Sequence, residues 1–170
     1  MLRVLTVDDF ESRHTRIVRE MTRAGIRAEF RHRYGPARVT DDDLAWAQFV
    51  WLDHDMCQRC YTEAGIVIEP DEDTPCPAPV ERGANALDLH CGCPTGMDLV
   101  RRMVALAHRP TVFVHTANPA AGPEMVRSLQ GGRFRVGFMP ATRWGWYDWR
   151  TVMKNAGCWG EPFEDGRDGG

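Results

Sequence analysis

Short apolar runs alternate along this chain with segments whose apolar positions recur every three or four residues. "LRVLTV" (2–7) is apolar, carries β-branched residues and stops at Asp8-Asp9, the pattern of a buried strand. From Ser12 to Ala24, Ile17, Val18 and Met21 share one side of a predicted helix that Gly25 stops. Arg16, Arg19, Arg23 and Arg27 recur on its outer side as a basic stripe. "IRAEF" (26–30) alternates as a second strand. Thr40 and Asp43 predict a capping box opening a short helix through Ala47, with Asp where Glu or Gln is usual. "FVWL" (49–52), "TVFVH" (111–115) and "FRVGF" (134–138) read as the third, fourth and fifth strands. Between the last three, "TGMDLVRRMVALAH" (95–108) is an amphipathic helix with Met97, Val100, Val104 and Leu106 inward. "NPAAGPEMVRSLQ" (118–130) begins at Asn-Pro and ends at Gly131-Gly132, a further helix. A final helix is expected over Tyr147–Asn155.

Strands alternating with amphipathic helices predict an α/β fold, a parallel sheet covered on both faces. In such a sheet, ligands bind beyond the C-terminal strand ends. The sequence places Asp8 and Asp9 after the first strand, Asp53, His54 and Asp55 after the third, and His115 and Thr116 after the fourth.

The alternation breaks over residues 56–94, which hold five of the six cysteines, several prolines and the acidic run "EPDEDTP". A structureless loop of this length does not suit a compact domain, so a metal is expected to hold it. Cys57-x-x-Cys60 and Cys91-x-Cys93 bracket it with the paired thiolates of a structural zinc site, Cys76 and His90 being alternates. Clustered cysteines in an intracellular chain point to metal before disulfides. The expected organisation is one domain over 1–160, interrupted by this insertion, with a frayed tail over 161–170.

Composition narrows the class. Hydrophobic residues are 43% and charged residues 26%, enough for a core and unlike a disordered chain. No apolar run approaches the roughly 18 residues of a membrane span, and "MLRVLTVDDF" lacks a signal peptide's features. The expectation is a soluble, cytoplasmic protein with no membrane partner. The net charge of −3 hides an uneven distribution: nine Arg against five acids in residues 1–40, two against thirteen in 41–98. A basic end of this kind suits an anionic ligand, although two solvated faces of opposite sign are the simpler account. Composition says nothing about oligomeric state.

The carboxylates of Asp8, Asp9 and Asp53 form an oxygen-rich set suited to Mg²⁺ or Mn²⁺. His54 and His115 suit the base and acid of a phosphoester cleavage. Arg13 is placed to offset charge on phosphoryl oxygens, and Thr116, Asn118 and the helix start beside them to hold a phosphate. His14 faces either this site or solvent. "RWGWYDW" (143–149) is either a packing patch or a surface for stacking bases.

Several of these segments together resemble a known fold. "VLTVDD", "VWLD", "TGMDLVRRM", "VFVHTAN" and "VGFMP" are similar to the strand ends and helix starts of response-regulator receiver domains. That resemblance implies a doubly wound five-stranded sheet in the flavodoxin-like order 2-1-3-4-5. A receiver has Lys where Met139 stands, and the only lysine, Lys154, lies later, so a phosphorylation switch is not expected. "VDDFESRH", "LDHDM", "TG" and "VHTANP", in that order, more specifically resemble the cyclic-phosphate processing receiver-like family over about residues 2–55 and 94–130. What that resemblance implies is a metal-assisted phosphoesterase. Its substrate would be a cyclic nucleotide, a cyclic oligonucleotide or an RNA 2′,3′-cyclic phosphate end. His54, His115, Asp53, Asp55 and Arg13 would be catalytic. The competing expectation is a non-catalytic receiver-like module whose zinc insertion docks a protein or nucleic acid.

Overall fold

A computed structural model describes residues 1–54, 94–116 and 118–140. The cysteine-rich insertion, the helix expected over 147–155, the aromatic segment 143–149 and the tail lie outside the described residues, as does Asp55.

Five strands form one sheet: β1 (Leu2–Val7), β2 (Ala28–Arg33), β3 (Phe49–Leu52), β4 (Thr111–Thr116) and β5 (Val136–Pro140). Their order is β2-β1-β3-β4-β5 and every neighbouring pair is parallel. The helices among the described residues are α1 (Glu11–Arg23), α2 (Asp41–Trp46), α3 (Gly96–Ala105) and α4 (Ala121–Gly131), with a 3₁₀ turn at Pro36–Arg38. This is the doubly wound sheet expected from the sequence.

Side-chain alternation divides the core in two. Leu5, Val7, Val50, Leu52, Val112 and Val114 face α3 and α4, meeting Leu99, Val100, Met103, Met125 and Leu129. Val4, Phe49, Trp51, Phe113 and Met139 point the other way, against Ile17 and Met21 of α1. With both faces covered, β3 has no polar position at all, which explains its unbroken apolar run.

Two strands lie further along the chain than their sequence pattern predicts, and for the same reason. After α1, Gly25 takes φ 78° and the Ile26 amide donates to the Met21 carbonyl (3.0 Å), so residues 25–26 finish the helix exit. β2 then runs Ala28–Arg33, pairing Thr6 with His32 and Val7 with Arg33, instead of 26–30. After α4, Arg133 sits at φ 63° and the Phe134 amide donates to the Leu129 carbonyl, so β5 begins at Val136 instead of Phe134. Likewise α4 starts at Ala121 rather than Asn118, because the Asn118 Oδ1 accepts from the Ala120 and Ala121 amides and caps the turn ahead of the helix.

The capping box of α2 is present as predicted: the Asp43 amide donates to Thr40 Oγ1 (3.1 Å) and the Thr40 amide to Asp43 Oδ2 (3.0 Å). Asp43 also takes two hydrogen bonds from Arg33, at 2.8 and 2.6 Å. Burial works against its charge, but these donors outweigh it and hold its pKa at about 2. The pair ties the end of β2 to α2.

Candidate functional site

Three strands deliver buried polar groups to the C-terminal edge. β1 runs into Asp8 and Asp9, β3 into Asp53 and His54, and β4 ends in His115 and Thr116; all six are buried. Asp8, Asp53 and His115 each continue the parity that faces α1, following Val4, Trp51 and Phe113 respectively. They therefore converge. One ligand-type atom from each lies within 4.8 Å of the others, a group of three that could hold a metal ion.

Arg13, in the first turn of α1, reaches over this group. Its Nη1 donates to both oxygens of Asp8 (3.3 and 3.2 Å) and to Asp53 Oδ2 (2.5 Å). The guanidinium lies 4.5 Å from the centre of the Phe10 ring, and the side chain is 28% exposed, so it is the part of the cluster that meets solvent. The backbone supplies the other constraints. Asp8 Oδ1 accepts from the Phe10 amide (2.9 Å), and Asp53 Oδ1 accepts from the His54 amide (2.6 Å). Gly96 opens α3 directly behind: its amide donates to the His54 carbonyl (3.0 Å). A Cβ there would collide with the Asp53 carbonyl oxygen and stand 2.9 Å from His54 Cα, so the glycine lets the helix approach the strand end.

Crowding of charge shows in the titration of these groups. Burial raises the Asp8 pKa even though Arg13 pulls it down. Burial, then the charges of Asp8 and Asp53, push Asp9 up to about 8. Burial, with Arg13 and Arg16 nearby, lowers His115 to about 3. Burial thus opposes ionisation of Asp8 and Asp9, and His115 is neutral at physiological pH. A divalent cation would relieve the first condition and accept a lone pair from the second.

Not every residue expected at the site joins the cluster. Asp9 follows Leu5 and Val7, whose parity faces α3 and α4, and it is not among the three converging groups, although its charge is felt there. Thr116 Oγ1 accepts from the Asn118 amide (3.1 Å), and Asn118 Oδ1 is engaged in capping, so the loop after β4 is held by these two side chains. His54 is buried beside Asp53. Met139, opposite His115 in the β4–β5 register, is buried in the α1-side core, where it provides packing and no charge.

His14 turns out to face inward, and His32 is connected to it. His14 Nε2 meets the Asp8 carbonyl (2.8 Å), which can only accept, so this nitrogen carries the proton. Burial, and then His32 beside it, lower the His14 pKa to about 4, so its Nδ1 is unprotonated and accepts from Thr6 Oγ1 (2.6 Å). The single proton of Thr6 is then spent, and His32 Nδ1 donates to it. A chain of defined polarity therefore runs from β2 through Thr6 to the backbone of Asp8. A threonine inside an apolar strand was the only sequence sign of it.

No family model matches this sequence, and no curated protein is similar to it. Solved structures do resemble it in fold. A response regulator receiver domain protein from Clostridium thermocellum shares 11% identity at a TM-score of 0.55, covering 92% of each chain. The bacteriophytochrome response regulator AtBRR gives 11% and 0.56, over 97% of this chain and 99% of that one. A CheY-like receiver domain from Methylobacillus flagellatus gives 10% and 0.51, over 92% and 98%. The fold is receiver-like.

Proposed function

We propose that the protein is a phosphoesterase that uses a divalent cation and opens a cyclic phosphate, whether in a nucleotide, an oligonucleotide or the 2′,3′-cyclic end of an RNA. The observation that carries this reading is the convergence of Asp8, Asp53 and His115 beneath Arg13 at the C-terminal edge. The cyclic substrate rests on the resemblance of "LDHDM" and "VHTANP" to the cyclic-phosphate processing receiver-like family.

The residues fit a cation: two buried carboxylates and a neutral imidazole are within reach of one position, and a cation there would favour ionised Asp8 against the burial that opposes it. When bound, the cation would act as a Lewis acid toward a phosphoryl oxygen and lower the pKa of water. The chain's own groups do the rest. Arg13, at the exposed rim, pairs with the non-bridging oxygens as charge builds on them. Hydrolysis forms one bond from water oxygen to phosphorus and breaks one ring P–O bond; the attacking water releases one proton to solvent and the departing alkoxide takes one. His115, already unprotonated, is unsuited to give it, so that role falls to His54. Thr116, at the end of β4, and Asn118 stand at the same edge and would hydrogen-bond the phosphate.

The test is a panel of 2′,3′-cyclic nucleotides, 3′,5′-cyclic nucleotides and a cyclic dinucleotide, offered to EDTA-stripped and Mn²⁺-supplemented protein. Turnover of at least one, dependent on the metal and lost in Asp53→Asn, is the expected result. Binding without turnover across the panel would instead favour a binding module.

A further inference from the structure

We infer that Asp8, Asp53 and His115 form a site selective for a first-row transition dication such as Mn²⁺ or Co²⁺ over Mg²⁺, with the His115 imidazole as the discriminating ligand. This deepens the proposed function by naming the ion class, and it rests on the reading that a cation binds at that site.

Three features of the geometry carry it. First, the third group within 4.8 Å is a nitrogen donor, whereas the sequence pattern offered only carboxylates for that role. Mg²⁺ prefers an all-oxygen octahedron and gives up water reluctantly. Imidazole suits the later transition ions, whose affinity for nitrogen-containing sites rises along the row. Second, the imidazole is fixed in place. It stacks on Trp51 at 5.1 Å and 27°, and Trp51 in turn stacks on Phe113 at 5.0 Å, so the ring is held within the packed face of the sheet. A ligand already ordered loses little freedom on binding. Third, Asp8 and Asp53 converge on one positive group, Arg13 Nη1, whose 28% exposed side chain can swing outward to the rim and leave that position to an ion. The pocket is therefore shaped for a cation shared by these two side chains. A cation there has His115 as its third neighbour from the protein.

Calorimetric titration of the metal-stripped full chain with Mn²⁺, Co²⁺ and Mg²⁺ separately tests the selectivity. Electron spin-echo spectroscopy of the Mn²⁺-loaded protein tests the nitrogen. Wild type should bind Mn²⁺ and Co²⁺ at least about tenfold tighter than Mg²⁺. It should also show the nuclear modulation of a directly bonded ¹⁴N. His115→Gln should lose at least about tenfold in Mn²⁺ affinity, lose the modulation and bind Mg²⁺ nearly as before. Asp53→Asn should weaken all three ions alike. Should His115→Gln fail to fold, the modulation in wild type still decides. Equal affinity for Mg²⁺ and Mn²⁺, or Mn²⁺ bound without nitrogen modulation, would overturn the inference. Nitrogen-ligated Mn²⁺ in a protein that opens no cyclic phosphate would uphold this inference and refute the proposed function.

Discussion

At the scale of single residues, the most consequential feature is a set of buried acids whose ionisation burial opposes. Asp9 has a folded-state pKa of about 8 against an ordinary value of 3.8. Between those limits the folded state binds more protons than the unfolded one, so its contribution to stability is full at low pH and is lost as pH rises toward 8. His14 and His115, lowered to about 4 and about 3, act in the opposite sense, but only below the unfolded histidine value near 6.5. Above 6.5 the acids are left alone. Metal-free protein should therefore lose stability between pH 6.5 and 8, by up to about 1.4 kcal/mol per pH unit from Asp9. Asp9→Asn should flatten the decline, and added Mn²⁺ should reduce it; thermal unfolding at a series of pH values measures both. A melting temperature that rises over that interval would contradict this electrostatic picture. The acids themselves were legible in the sequence because each ends an apolar run. The grouping was only partly legible. Parity along each strand decides that Asp8 and not Asp9 joins Asp53, and that His115 joins them as a potential ligand. The Thr6–His14–His32 chain was not legible, since it depends on the register that sets Thr6 opposite His32.

At the scale of elements, the site depends on how closely α3 meets β3. Gly96 stands where any side chain would strike the backbone at Asp53 and His54, and both of those atoms are main chain and cannot rotate away. Gly96→Ala should destabilise the protein by about 1–3 kcal/mol through this overpacking. It should also weaken ion binding, because the Asp53 carboxylate is displaced with its backbone. Unfolding by urea and calorimetry with Mn²⁺ give the two numbers. A variant with unchanged ion affinity would show that the helix start does not position Asp53. Elements were largely legible in the sequence, and the exceptions have one cause. β2 and β5 follow helix exits that use residues of positive φ, Gly25 and Arg133, and the residues consumed in those exits carry the same apolar pattern as the strands. Periodicity alone cannot separate a strand's first residue from the turn that precedes it.

At the scale of the molecule, the sheet order brings β1, β3 and β4 side by side, and the site lies where their C-terminal ends meet. That placement follows from topology: the strands of chain positions 1, 3 and 4 become neighbours only because β2 is laid outside β1. Receiver domains share this architecture, yet Met139 removes the lysine expected beside their phosphorylated aspartate, while His54 and His115 add imidazoles at the same edge. No helix among the described residues is long and apolar enough to cross a membrane. The parallel sheet and its edge were legible because the strand runs are short, apolar and terminated by charge, and the strand order followed only from the resemblance to receiver domains. The substrate was not, because specificity resides in loops whose shape no periodicity encodes. The proposed opening of a cyclic phosphate at this edge requires separable ion-binding and proton-transfer groups. Its most direct test is the steady-state hydrolysis of the responsive cyclic phosphate by Mn²⁺-saturated wild type and His54→Ala, with Mn²⁺ affinity measured on the same samples. The expected result is a loss in kcat on the order of 10²–10⁴-fold for His54→Ala, with Mn²⁺ affinity unchanged. Equal kcat in the two proteins would contradict it.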